Sequence, residues 1–133
     1  MKRSKKSKKS NTWRIKQHRD QFFKKSKTLG YRSRSAFKLI ELNQKYKFIK
    51  DNSKLLDIGS CPGGWSQVCS KIVKTGKILS LDIKPMELIK NVKFIRCNFQ
   101  EKEAKDKILG YFGENLDVII SDMAANTTGN KSL

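Results

Sequence analysis

Acidic residues are scarce in this sequence, and their scarcity limits the partners the chain can have. The 133 residues include 12 Asp and Glu against 30 Lys and Arg, a formal net charge of +18. A compact domain with this charge repels itself unless a polyanion neutralises it. Nucleic acid is therefore the expected partner.

Long apolar runs are also missing. No segment approaches the about 20 apolar residues that a membrane-spanning helix needs, and none has the pattern of an amphipathic surface helix. The lysine-rich N-terminus is not followed by the apolar core of a signal peptide. Residues 1–19 contain no acid, which is also compatible with an organelle transit peptide, although Lys outnumbers Arg there. We expect a cytoplasmic protein with no membrane partner.

Cysteine and histidine are too few for a metal or disulfide framework. Cys61, Cys69 and Cys97 are odd in number and form no CxxC pair, and His18 is the only histidine. This pattern supports neither a zinc site nor structural disulfides. We expect reduced thiols and no metal.

The chain begins with a basic tail. Residues 2–10 are all Lys, Arg or Ser, a composition that cannot bury apolar area. Aromatic residues then appear among the charges, and a short helix is predicted to end near Gly30. We predict residues 1–30 to be a basic RNA-binding extension, in which Lys24 and Lys25 contact phosphates and Trp13 stacks on bases.

After Gly30 the pattern becomes that of an α/β domain, predicted here as residues 31–133. A helix is expected from Ser33 or Ser35, either of which can cap it, to Tyr46. Short apolar runs then alternate with helical ones, which is typical of a parallel sheet with crossover helices. The predicted strands are Lys54–Ile58, Lys77–Leu81, Val92–Arg96 and Leu116–Ser121, and the predicted helices about Trp65–Lys74 and Glu101–Gly110. Right-handed crossovers give the first four strands of a doubly wound, Rossmann-like sheet in the order 3-2-1-4.

A glycine-rich loop follows the first strand directly. Gly59 allows a tight exit from the strand, and Gly63 and Gly64 allow backbone and the next helix to approach a ligand. The spacing differs from a dinucleotide fingerprint because Cys61 stands where a second glycine is needed, and no P-loop lysine follows. The position between strand and helix indicates a nucleotide-type cofactor.

Two polar residues end the next strands. Asp82 follows the second strand, where such folds place the carboxylate that holds ribose hydroxyls. Asn98 follows the third, where a group that contacts adenine would lie. The alternative for both is an ordinary turn residue.

Three segments, Arg32–Leu39, Leu56–Gln67 and Ser121–Asn126, read RSRSAFKL, LDIGSCPGGWSQ and SDMAAN. Together they resemble the FtsJ-type 2′-O-methyltransferases, most closely the bacterial members that methylate a uridine ribose of large-subunit (23S) rRNA during ribosome assembly. The resemblance implies S-adenosylmethionine as methyl donor, rRNA within the large subunit as substrate, and a monomeric protein. It covers nearly all of Trp13 to Gly129.

The resemblance also implies roles for single residues. The family's catalytic set of lysine, aspartate, lysine and glutamate places its first lysine on Lys38 and its aspartate on Asp122. The other two would lie beyond Leu133, so we expect an incomplete chain that is inactive alone. Arg32 and Arg34 fall in a segment expected to contact RNA. The positions that match the family's cofactor site are Gly63, Trp65, Asp82, Asn98 and Asp122.

Two positions depart from the family pattern. The family usually has Asp where Asn98 stands, and an amide accepts a hydrogen bond from adenine without charge assistance, so weaker cofactor binding is expected. It also tends to have Pro in place of Ala125, which leaves this loop less rigid. A rival hypothesis is a basic RNA-binding protein that retains a degenerate, non-catalytic cofactor fold. The two hypotheses differ in whether S-adenosylmethionine binds.

Overall fold

The computed structural model describes residues 30–123. The predicted basic tail and first helix lie outside this range, as do Trp13, Lys24 and Lys25. None of the helices in the described part is long and apolar enough to cross a membrane. The elements are α1 (Ala36–Tyr46), β1 (Lys54–Ile58), α2 (Gly64–Ile72), β2 (Lys77–Asp82), β3 (Val92–Arg96), α3 (Lys102–Phe112) and β4 (Val118–Ser121).

The strands form one parallel sheet in the order β3-β2-β1-β4, as predicted. Leu56 of β1 pairs with Leu79 of β2 on one side and with Ile119 of β4 on the other. The order of connections therefore reverses at β1, which lies between the second and fourth strands. Crevices for ligands form at such reversals, at the carboxyl ends of the strands.

Apolar side chains alternate between the two faces of the sheet. Leu55 and Ile78 belong to a core beneath α1 and α2, whereas Leu56 and Leu79 belong to a second core with Phe112 of α3. Successive strand residues point to opposite faces, so the neighbouring residues Leu55 and Leu56 pack in different cores. The sheet is thus covered on both sides, as parallel sheets generally are.

The predicted ends of four elements differ from the observed ones. β2 continues one residue beyond Leu81, through Asp82. α3 continues through Gly110 because Phe112 is buried in the second core, and it stops at Gly113, whose φ is +69°. α2 stops at Ile72 rather than Lys74, since the Lys74 amide donates to the Asp51 carbonyl at 3.0 Å. β4 starts at Val118 instead of Leu116, which packs against the second core.

Ser35 occupies the N-cap position of α1, but its side chain does not cap the helix. Its hydroxyl lies 2.9 Å from the Ser33 hydroxyl instead. The prediction that a serine here starts the helix is therefore right about the position and wrong about the capping hydrogen bond.

Candidate functional site

Two cavities lie at the carboxyl ends of the strands. The loop cavity, of about 180 Å³, is lined by Ser33, Ser35, Asp57, Gly59, Ser60, Cys61, Pro62, Gly64, Trp65 and Asp122. The strand-end cavity, of about 240 Å³, is lined by Ile58, Gly59, Leu81, Asp82, Ile83, Cys97, Asn98, Phe99, Gln100 and Met123. Gly59 belongs to both linings. Each cavity is smaller than the roughly 300 Å³ at which ligand pockets usually start, so an elongated ligand would need both.

The loop after β1 is attached to the end of β2 through its backbone. The amides of Gly59 and Ser60 donate to the Leu81 carbonyl at 2.8 and 3.0 Å. The next amide, of Cys61, donates to Oδ2 of Asp82 at 2.8 Å. The Cys61–Pro62 peptide bond is cis. These contacts bring the predicted glycine loop and Asp82 together in one site.

Asp82 makes the contact of a turn residue and also holds the glycine-rich loop. Its Oδ1 accepts a hydrogen bond from the Lys84 amide at 3.0 Å, as a turn residue does, while its Oδ2 holds the loop. It also lines the strand-end cavity. A carboxylate offers about four acceptor sites, so these two hydrogen bonds leave capacity for ribose hydroxyls.

Asn98 likewise makes the contact of a turn residue and lines a cavity. Its Oδ1 accepts a hydrogen bond from the Gln100 amide at 3.0 Å, which makes it a turn residue. The same residue lines the strand-end cavity, next to Phe99. An amide carries two donors and two acceptor sites, so it retains hydrogen-bonding groups for a ligand.

Gly63 and Gly64 make room for the protein's own side chains. A Cβ on Gly63, whose φ is +117°, would lie 2.9 Å from the Arg32 guanidinium and 2.9 Å from Ile89. A Cβ on Gly64 would overlap the Ser33 hydroxyl. We expected these glycines to clear space for a ligand, and of the two only Gly64 lines a cavity.

Trp65 joins α2 to the start of α1. Its indole Nε1 donates to the Ser35 carbonyl at 2.9 Å, and its side chain lines the loop cavity. The segment before Lys38 is therefore held beside the glycine-rich loop, although 30 positions of sequence separate Ser35 from Trp65. With Asp122 in the same lining, residues of all three motif segments meet at the loop cavity.

Asp57 is a buried carboxyl at the floor of the loop cavity, and sequence reasoning missed it. Only 1% of its surface is exposed. The Ser66 hydroxyl donates to its Oδ2 at 2.6 Å and lies 2.6 Å from the Ser80 hydroxyl. Burial raises the pKa of Asp57 to about 7; the Ser66 hydrogen bond lowers it, and the charges of Asp122 and Asp82 raise it further. An acid within the apolar run of β1 was a signal that could have identified this cluster.

The predicted catalytic residues lie differently with respect to the cavities. Asp122, just after β4, is half-buried and lines the loop cavity. Lys38 is exposed on the first turn of α1 and lines neither cavity. Arg34 is exposed, whereas the half-buried Arg32 donates hydrogen bonds to backbone carbonyls.

The cysteines are free thiols. Cys69 is buried, and burial raises its pKa, while Cys61 and Cys97 are half-buried and each lines one cavity. Within residues 30–123, no three His, Cys, Asp or Glu side chains come together as a metal site would require.

Comparison with known proteins identifies the family. Residues 31–133 match the FtsJ-like methyltransferase family. Over 129 residues the chain is 44% identical to the ribosomal RNA large subunit methyltransferase E of Pelagibacter ubique, which covers 97% of this chain and 64% of that protein. The protein of the same name from Acinetobacter baumannii is 40% identical over 129 residues, with 96% and 60% covered.

A solved structure agrees with this match. The crystal structure of a protein described as a ribosomal RNA methyltransferase of Plasmodium falciparum superposes with a TM-score of 0.65 at 39% identity, covering 77% of this chain and 61% of that chain. The chain spans about three-fifths of the length of the relatives it matches. With this sequence match and a Rossmann-type sheet, the chain belongs to the FtsJ-like methyltransferase family.

Proposed function

We propose that this protein transfers a methyl group from S-adenosylmethionine to a uridine 2′-hydroxyl of large-subunit rRNA. The observation that carries the proposal is the pair of cavities that share Gly59 in a chain of this family. We also propose that it acts as a monomer in the cytoplasm, on RNA within the large ribosomal subunit.

The chemistry of the two cavities fits the two ends of S-adenosylmethionine. Ile83 and Phe99 offer apolar surface for an adenine ring in the strand-end cavity, and Asp82 offers acceptors for the ribose hydroxyls. The loop cavity contains the carboxyls of Asp57 and Asp122, which favour a nearby cation such as a sulfonium or an amino group. When bound, the cofactor supplies an activated methyl group.

The residues of this chain would orient the reacting groups. Methyl transfer to a ribose hydroxyl requires oxygen, methyl carbon and sulfur in line, together with removal of the hydroxyl proton. Asp122 lies at the wall of the loop cavity, where it can hold the substrate hydroxyl or the methyl donor. Lys38 is one turn from Ser35, and we assign its cation an orienting and electrostatic role.

Charge supports an RNA substrate. The net charge of +18 favours a polyanion, and the relatives are named for large-subunit ribosomal RNA. Backbone contacts from basic residues give affinity but little sequence discrimination, so the choice of uridine would depend on the site itself.

Because the second catalytic lysine and the glutamate are expected beyond Leu133, the experiment uses a protein that includes the residues after Leu133. It is mixed with methyl-labelled S-adenosylmethionine and either free rRNA or large ribosomal subunits. Calorimetry first measures cofactor binding, and nuclease digestion then locates the label. We expect a labelled uridine ribose and more label in subunits than in free rRNA. Label on a base would contradict the reaction, and binding of RNA without any cofactor binding would favour the non-catalytic alternative.

A further inference from the structure

We propose that Arg32 is a positioning residue that holds the walls of both cavities together, rather than an RNA contact. The inference rests on the proposed use of these cavities for S-adenosylmethionine. It concerns a residue that the sequence placed among the RNA contacts because of its charge and its position in a basic segment.

The guanidinium of Arg32 ties two separate loops together. Its Nη1 donates to the Pro62 carbonyl at 3.1 Å and to the Glu87 carbonyl at 2.8 Å. Its Nη2 donates to the Leu88 carbonyl at 3.1 Å. Pro62 belongs to the loop after β1, and the other two carbonyls to the loop after β2. A planar fork with several fixed donors suits such a task, and the ammonium of lysine does not reproduce it.

The backbone of Arg32 is anchored as well. Its amide donates to Oε1 of Gln67 at 2.7 Å, and Nε2 of Gln67 donates to the Gly30 carbonyl at 3.0 Å. Gln67 lies on α2, which starts directly after the cofactor loop. The side chain of Arg32 thus reaches the two loops from a fixed base on that helix.

These contacts bear on both cavities. Pro62 lines the loop cavity, while Asp82 at the end of β2 and Ile83 directly after it line the strand-end cavity. Gly63 leaves the space that the guanidinium fills, because a Cβ there would lie 2.9 Å from Nη1. The glycine and the arginine therefore act as a matched pair.

The same contacts limit what Arg32 can offer to RNA. Both hydrogens of Nη1 and one of Nη2 are used by carbonyls, so only Nε and one hydrogen of Nη2 remain for a phosphate. Arg34, two residues on, is exposed. The structure thus separates the two arginines of one motif into a positioning residue and a candidate RNA contact.

A positioning role has a kinetic signature. Loss of the guanidinium fork lowers the fraction of molecules whose loops are ready to bind, and the apparent affinity falls by that fraction. Association with S-adenosylmethionine slows, whereas dissociation changes little because Arg32 does not touch the ligand. A purely structural residue would lower the melting temperature without changing the association rate of the folded protein.

The test compares Arg32→Lys with Arg34→Ala, using stopped-flow mixing with S-adenosylmethionine and salt titrations of rRNA binding. We expect Arg32→Lys to associate roughly 3- to 10-fold more slowly, and Arg32→Ala, which removes the charge, to leave the salt slope unchanged. Arg34→Ala should lower the salt slope by about one and retain cofactor affinity. Gln67→Ala, which releases the backbone of Arg32, should slow association in the same way. Thermal unfolding checks that each variant is folded.

The outcomes separate this inference from the proposed function. If wild type binds S-adenosylmethionine and Arg32→Lys binds it at the same rate, the positioning role is wrong. A lower salt slope in Arg32→Ala would restore Arg32 to the RNA contacts and also overturn the inference. If wild type binds no S-adenosylmethionine, the proposed function fails. Hydrogen exchange at the Cys61 amide then tests whether Arg32 holds the loops in place. Faster exchange in Arg32→Lys supports the inference, and unchanged exchange contradicts it.

Discussion

The loop cavity and the strand-end cavity share one glycine and differ in almost everything else. The loop cavity contains two carboxyls and three serine side chains, Ser33, Ser35 and Ser60. The strand-end cavity is lined mainly by apolar side chains, Leu81, Ile83, Phe99 and Met123, together with Asp82, Asn98 and Gln100. The lining therefore becomes less polar from the loop cavity to the strand-end cavity, and the two cavities share Gly59. An elongated ligand that fills both would be held by charge at one end and by apolar contact at the other.

The difference follows from the sheet. The loop cavity lies at the ends of β1 and β4, where the order of connections reverses, and its floor is the buried Asp57. The strand-end cavity lies at the ends of β2 and β3, where 59% of Ile83 and 40% of Phe99 remain exposed. We expect chemistry to depend on the first cavity and affinity on the second.

The largest expected effect is on Asp122. Asp122→Asn keeps the shape of the loop cavity and removes a charge, so methyl transfer to rRNA should fall by about 10²- to 10⁴-fold. Label transfer from S-adenosylmethionine, in a protein that includes the residues after Leu133, measures the rate. Asp106→Asn, an exposed carboxylate on α3, is the matched control and should transfer at the wild-type rate. If Asp122→Asn retains its activity, the loop cavity does not take part in methyl transfer.

The next effect is a pH dependence of stability that originates at Asp57. Its folded pKa of about 7 exceeds the ordinary 3.8, so between these values the folded state binds the extra proton and stability falls as the pH rises. Relative to Asp57→Asn, wild type should lose about 2 to 4 kcal/mol between pH 4 and pH 8. Urea unfolding at several pH values measures this. If the free energy of unfolding depends on pH in the same way in both proteins, Asp57 ionises near its ordinary pKa and the prediction is wrong.

A smaller effect, on cofactor affinity, is expected for Asp82, which lines the strand-end cavity. Asp82→Ala should weaken S-adenosylmethionine binding by roughly 1 to 3 kcal/mol, since it loses acceptors for ribose hydroxyls and releases the Cys61 amide. Calorimetry measures the affinity. Asp117→Ala is the control, because Asp117 likewise accepts a backbone hydrogen bond, from the Lys54 amide at 2.9 Å, at the opposite edge of the sheet. Equal losses in both variants would indicate a general loss of structure.

The smallest effect is expected at Phe99. Phe99→Ala removes part of the apolar wall of the strand-end cavity, and we expect cofactor affinity to fall by about 0.5 to 1.5 kcal/mol with little change in the rate at saturating cofactor. Tyr46→Ala, at the exposed end of α1, should leave affinity unchanged. We proposed that the strand-end cavity contributes affinity and the loop cavity contributes chemistry. A large loss of the rate at saturating cofactor in Phe99→Ala would contradict this division.

The elements and their order were predictable from the sequence by itself. Apolar runs such as Lys54–Ile58 and the glycine loop behind it are local patterns, and right-handed crossovers leave few ways to arrange four parallel strands. The carboxyl ends of those strands share one edge, so the sequence also indicated that Asp82, Asn98 and Asp122 lie along that edge. These predictions needed only neighbouring residues and a general rule of handedness.

Tertiary structure alone decided which partner each polar side chain finds. Arg32 reaches Leu88 across 56 positions of sequence, and Ser66 meets Asp57 only because α2 packs on β1. Composition made Arg32 one basic residue among many, and the fold turned it into a link between two loops. The division into two cavities has the same origin. A hydrogen bond forms within about 3 Å, and the spacing of distant segments depends on the packing of the whole domain rather than on any local pattern.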